Sequence, residues 1–281
     1  MKKIGFILLA FTAIVSSVSH SMAQSSTQKG TWDAAFSTGF FFANKYTAGF
    51  YDGTGTNNIN RIVGNQYLRE DIIREIDHTY DTTDIELPGN MKYKPAMSVG
   101  FTGAYYLADG FAIIFQGTYV KLKTVNSFLL HYNDIQFPTN TIESYLICPI
   151  YASEERTMLD IGIRRSYPIN EITEWFFETG FNFTNTIVQD HKIEIGDLTY
   201  SIKSNYKNTP YVPNTNYQDY DIQQGGIGWG TMVGLGTNFN FSEQLSLQVA
   251  VTGYWNTTKI PGYEGFKFHV NPIVRLVFKN L

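Results

Sequence analysis

A period-two alternation of large apolar residues with small or polar ones is the feature that most restricts how this chain can fold. In residues 225–241, Ile227, Trp229 and Val233 fall on one face of a strand, while the opposite face is mostly glycine. A phosphate-binding loop is excluded there, because Thr231 stands where a P-loop needs lysine. Eight segments alternate in this way, each long enough to cross a bilayer as a tilted strand. They are approximately residues 31–43, 93–107, 111–124, 156–168, 174–185, 225–241, 245–256 and 266–279.

The connections between these segments alternate in length. The tight connections are residues 108–110, 169–173 and 242–244. The long connections are residues 44–92, 125–155, 186–224 and 257–265. An up-and-down barrel with short turns at one end and long loops at the other produces this pattern. We therefore predict an all-β fold, an antiparallel transmembrane barrel of about eight strands with periplasmic turns and extracellular loops.

The tight turn at residues 169–173 also fixes a strand register. A hairpin closed there places Tyr167 opposite Trp175 on one face and Arg164 opposite Glu178 on the other. The first pair is aromatic on both strands, and the second pairs opposite charges, which is favourable across a hairpin. This register is an independent argument for pairing the two segments.

The four tryptophans indicate where such a barrel would meet the two membrane surfaces. Trp32 and Trp175 begin strands that run towards the long loops, Trp229 begins a strand in the opposite direction, and Trp255 ends one that runs towards a loop. All four lie on the apolar face of their segments. We expect them to form an aromatic girdle, with two tryptophans at each interface.

The first residues of the chain predict export. Lys2 and Lys3 precede an apolar run that ends at Val15, and small residues follow at Ser21 and Ala23, as in a secretory signal peptide. We expect residues 1–23 to be this peptide and residues 24–281 to be a single outer-membrane barrel domain. The only cysteine is Cys148, so no disulfide can form within the chain. With 21 basic and 25 acidic side chains, the chain is a poor binder of nucleic acid, and we expect no such partner.

The carboxyl-terminal segment VNPIVRLVFKNL carries the last of the alternating patterns. Its apolar face consists of Phe268, Val270, Pro272, Val274, Leu276 and Phe278. A final strand of this kind, with tight turns and long loops before it, resembles the small eight-stranded bacterial outer-membrane barrels: the OmpX-like and OmpA-barrel-like group and the outer membrane protein β-barrel families of Bacteroidota. The resemblance implies a protein of the bacterial outer membrane that crosses it several times as β-strands and contacts outer-membrane lipid and lipopolysaccharide.

Charged residues on the inward faces of the strands predict a polar network inside the barrel. An eight-stranded barrel is only wide enough for its own side chains, so charges inside it must pair with one another. Arg164 and Glu178 are the strongest candidates for such a plug. The predicted network consists of Arg164, Glu178, Asp160, Arg275 and His269.

We expect no catalytic residue, metal or cofactor. His78, His131 and His191 fall in predicted loops, and none has a Ser, Asp or Glu at a spacing that assigns catalytic roles. His131 lies at the rim, where lipid A deacylases of similar barrel size hold a His and Ser pair, but no serine lies two residues after it. The acidic residues of the segment DTTDIE do not have the spacing of a calcium loop.

Two long loops have compositions that suggest structure or binding. Leu68, Ile72, Ile73 and Ile76 share one face of a predicted helix over residues 67–77, which could cover the barrel mouth or bind a partner. The third long loop spaces tyrosines among Asn, Thr and Pro, a composition that makes adaptable contacts at little entropic cost. The predicted recognition tyrosines are Tyr200, Tyr206, Tyr211, Tyr217 and Tyr220.

These patterns predict a non-enzymatic outer-membrane protein whose long loops serve surface recognition or adhesion, or an envelope-structural role, with an extracellular ligand or another envelope protein as partner. Three alternatives stay open at the level of sequence. The first is a narrow pore or small-solute channel, and the second is a subunit of a larger outer-membrane transport or secretion complex. The third is a lipid-modifying enzyme with its site at the rim.

Overall fold

The structure, a computed structural model, describes residues 29–133, 144–203 and 224–281. The predicted signal peptide, residues 1–23, lies outside this range. The described residues form the strands β1 Trp32–Phe41, β2 Thr79–Glu86, β3 Ala96–Ala108, β4 Phe111–Asn133, β5 Ser144–Pro168, β6 Thr173–Ile195, β7 Leu198–Ser201, β8 Gly225–Asn240, β9 Leu245–Asn256 and β10 Lys267–Phe278. They also form the helices α1 Lys45–Ala48, α2 Asn60–Val63 and α3 Gln66–Ile76, with a 3-10 helix at Gly49–Tyr51.

Eight of these strands close into an antiparallel ring in the order β1, β3, β4, β5, β6, β8, β9, β10. The first and last strands of the ring pair with each other from Ala34 opposite Phe278 to Gly39 opposite Ile273. Each ring strand is therefore paired on both sides, which removes the free edges of an open sheet. The prediction of an eight-stranded up-and-down antiparallel barrel is confirmed.

The register predicted for the hairpin at residues 169–173 is also confirmed. Arg164 lies opposite Glu178 and Tyr167 lies opposite Trp175, and the last two rings stack at 4.6 Å between centroids. The guanidinium group of Arg165 points to this turn end of the barrel, where it donates to the backbone oxygen of Asp109 at 3.1 Å. Its charge thus sits at the edge of the apolar surface rather than within it.

The predicted bounds of three strands were too short. Beyond Thr124, before Arg156 and beyond Asn185, strands β4, β5 and β6 continue into parts of the chain that alternation assigned to loops, and β2 and β7 add to them at the open end. We call residues 120–133, 144–156 and 186–195 the wall. Beyond the predicted bounds the alternation fails because both faces carry apolar residues: Cys148 and Ile150 face inward, while Ile147 is exposed on the outer face. His191, predicted in a loop, lies in β6 of this wall.

The first long connection folds against the inner face of the wall. We call residues 45–76 the cap. The predicted helix over residues 67–77 is confirmed as α3. Asn65 is its N-cap, and the Asn65 side chain accepts from the Tyr67 N–H at 2.9 Å. Its Leu68 and Ile72 are buried in a core shared by cap and wall. The lid interpretation of this helix is therefore the one that the packing supports. The remaining cap members of that core are Ala48, Phe50, Tyr51, Ile59, Ile62 and Val63.

Among the described residues, no helix has both the length and the apolar content needed to cross a membrane.

Candidate functional site in the barrel interior and at its mouth

One buried carboxylate serves two arginines in the middle of the barrel. Glu178 on β6 accepts from Arg164 Nε on β5 at 2.8 Å and from Arg275 Nη1 on β10 at 2.8 Å, and its other oxygen accepts from Arg275 Nη2 at 3.0 Å. All three side chains are buried. The ring of Phe176 lies beneath both guanidinium groups, 4.9 Å from Arg164 and 5.9 Å from Arg275. The interior is therefore crossed by a charged cluster, as its narrow bore requires.

A second carboxylate joins this cluster through an amide. Asp160 Oδ1 accepts from Asn182 Nδ2 at 2.7 Å, and its Oδ2 lies 3.3 Å from both Gln116 Nε2 and the Tyr254 hydroxyl. Gln116 in turn accepts from Arg275 Nη2 at 2.7 Å. Hydrogen bonds thus connect Asp160 to the arginine pair, and four of the five predicted network residues lie in one assembly.

His269, the fifth predicted member, lies elsewhere in the interior. Its Nδ1 accepts from the backbone N–H of Asn44 at 3.0 Å, and its ring stacks on Phe41 at 5.7 Å. Among the described residues, no hydrogen bond links its side chain to Glu178 or Asp160. The period-two pattern predicts which side chains of a strand point into the barrel. It does not predict which side chains of different strands lie at the same level along the barrel axis. His269 is opposite Tyr254, whereas Arg275 is six residues further along the same strand, opposite Gln248.

Glycines of β8 leave the space that this cluster occupies. A Cβ atom at Gly234 would lie 3.0 Å from Glu178 Oε2, and one at Gly236 would lie 2.5 Å from Cζ of Phe176. The large apolar side chains of β8, such as Trp229 and Leu235, are on the exterior and exposed. The glycine-rich face of β8 therefore lines the bore and leaves room for long side chains from β5, β6 and β10.

Buried apolar side chains fill the space between the hydrogen-bonded groups of the interior. Phe41, Val120, Leu122, Met158, Met232 and Tyr254 belong to one core cluster, which also includes Tyr106 and Ile114 towards the turn end. On strands β4 and β5, Val120 lies opposite Arg156 and Leu122 lies opposite Glu154. Apolar and polar side chains therefore share the same heights along the bore.

A second buried ion pair lies nearer the open end of the barrel than the Glu178 cluster. Glu154 Oε1 accepts from Arg156 Nε at 2.7 Å, and Glu154 Oε2 accepts from the hydroxyls of Tyr51 at 2.5 Å and Tyr93 at 2.9 Å. Arg156 also donates to Thr47 Oγ1 of the cap at 3.2 Å. Burial and the neighbouring Glu154 raise the pKa of both tyrosines well above the usual value, so the hydroxyls stay protonated and donate.

Sequence reasoning missed this group because two of its members come from the cap and its exit segment. The available signal was Glu154 and Arg156 two residues apart, which places both on one face of a strand. Their partners Tyr51 and Tyr93 could be found only once the fold of the first long connection was known.

The cap is also fastened to β6 by a buried side-chain triad. Asn57 Nδ2 donates to Nδ1 of His191 at 2.9 Å and to Oε1 of Gln224 at 3.0 Å, and Gln224 Nε2 donates back to Asn57 Oδ1 at 2.8 Å. The Tyr51 ring lies edge-on to the imidazole at 5.2 Å. Burial lowers the pKa of His191 to about 4. The imidazole is therefore neutral at pH 7, as an acceptor of the Asn57 hydrogen bond must be.

Acidification should loosen the cap through His191. An imidazole that titrates near 6.5 in the open cap and at about 4 in the closed cap binds protons preferentially when the cap is open. The closed form is thus fully favoured above pH 6.5, and lowering the pH to 5 should cost it about 2 kcal/mol. A spin label on Gly55→Cys reports this, because Gly55 is exposed and a Cβ there meets nothing within 4 Å.

The native Cys148 should not interfere with this labelling, because burial raises the pKa of its thiol to about 12. We expect the label to become more mobile between pH 7 and pH 5. The His191→Gln variant keeps an acceptor without a titrating group, so its label should respond much less. Equal responses in the two proteins would contradict the role of His191.

The residues considered as candidates for catalysis or metal binding do not form a catalytic arrangement in the described part of the chain. His131 lies on β4 with its ring 6.1 Å from that of Tyr145, and His78 stacks on Tyr132 at 4.5 Å. Asp81 accepts from its own neighbour Thr83, from N–H at 2.8 Å and from the hydroxyl at 2.7 Å. Within residues 29–133, 144–203 and 224–281, no cluster of His, Cys, Asp and Glu could hold a metal ion.

The predicted girdle residues lie in two groups on the exterior. Trp32 packs on Tyr105 at 4.9 Å, and Trp175 stacks on Tyr167, all at the turn end. Trp229 and Trp255 both contact the ring of Phe266, at 5.1 and 5.0 Å, at the loop end. All four indoles are exposed, and the apolar side chains between the two groups face outward.

The predicted recognition loop is described only at its start. Tyr200 lies in β7, opposite Ile193, and packs partly against the core of cap and wall. Tyr206, Tyr211, Tyr217 and Tyr220 lie outside the described residues.

The chain matches no protein-family model and no curated protein. Among solved structures it is similar to Neisserial surface protein A, with 6% identity and a TM-score of 0.44 over 88% of this chain and 96% of that one. It is also similar to the outer membrane protein OprG of Pseudomonas aeruginosa, with 12% identity and a TM-score of 0.40 over 90% and 98%. A third similar structure is Ail, the attachment invasion locus protein of Yersinia pestis, in complex with the heparin analogue sucrose octasulfate. It shares 8% identity and a TM-score of 0.39 over 90% and 99%. The assignment as a barrel rests on the closed ring of hydrogen bonds described above.

Proposed function

We propose that this chain is an integral protein of the bacterial outer membrane. The support is the exterior of the ring, where apolar side chains such as Phe36 and Phe181, each 65% exposed, face outward between two groups of aromatic residues. A continuous apolar band of this kind is unstable in water, whereas hydrocarbon accommodates it. The band ends near Tyr119 on β4, so the wall and cap project beyond it. The turn end then faces the periplasm, and the wall faces the outside of the cell.

The proposed role is non-enzymatic recognition at the cell surface. The observation that carries it is the wall: three strands of the barrel continue past the band, packed on the inner face by the cap and with exposed side chains on the outer face. Such a platform holds its exposed residues on rigid strands, which suits binding better than mobile loops do. Its outer face displays Val125, Tyr145 and Ile147, all exposed apolar residues, beside the surface pair Lys192–Asp190.

The other functions are less well supported by the geometry. A narrow pore would need a path past the Glu178 cluster, the buried apolar side chains and the Glu154 group, all of which occupy the bore. A rim enzyme would need a second reacting group beside His131, whose described neighbour is Tyr145. Membership of a larger envelope complex is compatible with the same wall. It differs from surface recognition only in which partner occupies the outer face.

A photoreactive amino acid placed at Ile147 tests the recognition role in intact cells. Ile147 is 61% exposed on the outer face of the wall, and we expect it to form adducts with a protein or glycan. Val251 on β9 is 50% exposed within the apolar band, so the same group there should label lipid alone. Adding Val125→Lys should abolish the Ile147 adduct and leave Val251 labelling unchanged. If Ile147 gives only lipid adducts, or if Val125→Lys has no effect, surface recognition by the wall is wrong.

A further inference from the structure

Four lysines gather where β3 and β4 leave the apolar band. Lys121 and Lys123 alternate outward on β4 directly after Tyr119, and Lys92 and Lys94 precede β3 on the neighbouring segment. All four side chains are exposed. The chain as a whole is acidic, with a formal net charge of −4, so this concentration of positive charge runs against its overall balance. We call these residues the lysine rim.

The register of the lysine rim sets two like charges against each other. The Lys94 N–H donates to the Lys123 oxygen at 2.9 Å, and the adjacent residues Tyr93 and Thr124 form an isolated antiparallel bridge. Lys94 and Lys123 are therefore directly opposite across two strands. Like charges in that arrangement destabilise a sheet, because the side chains start only about 5 Å apart. An anion between them would convert this repulsion into attraction.

The described residues provide only one counterion to the lysine rim. Lys121 Nζ lies 3.4 Å from Glu155 Oε1 on β5. Among the ion pairs of the described residues, none includes Lys92, Lys94 or Lys123. Three ammonium groups with no partner in the described part of the chain thus share one small surface.

The height of the lysine rim matches one layer of a membrane. Tyr119 and Met97, 40% and 64% exposed, mark the upper edge of the apolar band on these two strands. At about 3.3 Å per residue and a tilt of about 40°, Lys121 and Lys123 lie about 5 and about 10 Å above Tyr119. Polar headgroups occupy that layer, since they add several ångströms to each side of the hydrocarbon.

We propose that the lysine rim binds the phosphate groups of an anionic lipid headgroup in the outer leaflet. Each ammonium is a compact charge with three donors, and three of them around one phosphate-bearing headgroup satisfy donors that otherwise repel one another. The inference rests on the proposed outer-membrane location, because it needs a leaflet at the level of Tyr119. The acyl chains of the same lipid would lie against Met97, Val99 and Phe101 on the outer face of β3.

Native mass spectrometry of the full chain released from nanodiscs tests this site. The probes are a bis-phosphorylated lipid A and its dephosphorylated form, which has the same acyl chains, each mixed into a neutral phospholipid. We expect the wild-type chain to retain the phosphorylated probe preferentially, and high salt to weaken that preference. The triple variant Lys92→Gln/Lys94→Gln/Lys123→Gln should lose about 100-fold in the preference, from about fivefold per lysine.

A matched triple variant separates the lysine rim from total charge. Lys45→Gln/Arg61→Gln/Lys259→Gln removes the same charge from elsewhere on the loop end, at three exposed residues, and should retain the wild-type preference. Equal retention of the two probes by the wild-type chain, or an unchanged preference in the rim variant, would overturn the lipid site. Displacement of the lipid by millimolar inorganic phosphate would also overturn it, because the ligand would then be a soluble anion. A wild-type chain that fails to enter nanodiscs would instead refute the outer-membrane location.

Discussion

Replacing Glu178 with Gln is expected to lower the free energy of unfolding of the barrel by about 3–5 kcal/mol. The substitution keeps the size of the side chain and removes its charge. Arg164 and Arg275 then face each other in the interior without the carboxylate that now accepts from both. Breaking a buried ion pair is far more costly than replacing it, because the remaining charge is left desolvated. Here one substitution leaves two such charges.

Urea unfolding of the purified chain in lipid vesicles measures this loss, with Glu243→Gln as the control. Glu243 is exposed in the tight turn between β8 and β9, and its substitution should change stability by less than about 0.5 kcal/mol. The triple variant Glu178→Met/Arg164→Met/Arg275→Met removes all three charges together. It should be more stable than Glu178→Gln, because no unpaired charge remains. A Glu178→Gln protein as stable as the control would show that the cluster is dispensable.

Substituting Gly180 with Val is the second change expected to have a large effect. Gly180 on β6 lies opposite Gly162 on β5, between the Arg164–Glu178 and Asp160–Asn182 pairs. A Cβ atom at Gly180 would lie 2.3 Å from the Ile161 backbone oxygen and 2.6 Å from the Gly162 Cα atom. Backbone atoms of a closed ring cannot move apart without breaking ladder hydrogen bonds. We expect a loss at or above the upper end for overpacked cores, about 3 kcal/mol, or failure to fold.

The control for Gly180→Val is the same substitution at Gly103. A Cβ atom there meets nothing within 4 Å, because Gly103 on β3 points out of the barrel. Valine is favoured in strands, so Gly103→Val should fold as well as the wild-type chain. The folded fraction is read from the shifted gel mobility of unheated samples. Equal folded fractions for the two variants would show that the Gly162–Gly180 contact is not required.

The sequence predicted the barrel well because one physical constraint acts on most of its length. Each ring strand has one face towards apolar surroundings and one face towards a crowded interior. Large apolar residues therefore alternate with small or polar ones along the strand. That constraint is lost beyond Thr124. From there the wall is covered by the cap on one face and carries apolar residues such as Ile147 on the other. Strands with two such faces lose the period-two pattern.

Inward alternation predicted four members of the interior cluster, but their contacts were predictable only between adjacent strands. The tight turn at residues 169–173 sets the register that places Arg164 opposite Glu178. The contact of Arg275 with Glu178 spans the bore from β10 to β6, and it depends on the stagger of the closed ring. No local pattern encodes that stagger. The same reason explains why His269 was predicted in the cluster although it lies nearer the mouth.

Closure of the ring has a consequence for how the protein is assembled. Asp33 at the start of β1 accepts from the backbone N–H of Asn280, and the two residues are 247 positions apart in the chain. The first strand therefore cannot complete its pairing until the last has been delivered. Until then β1 and β10 are unpaired edges able to add strands from other molecules. Folding that depends on such distant contacts is slow, so the rate of seam closure, rather than the strength of any one pair, sets how long the chain is open to aggregation.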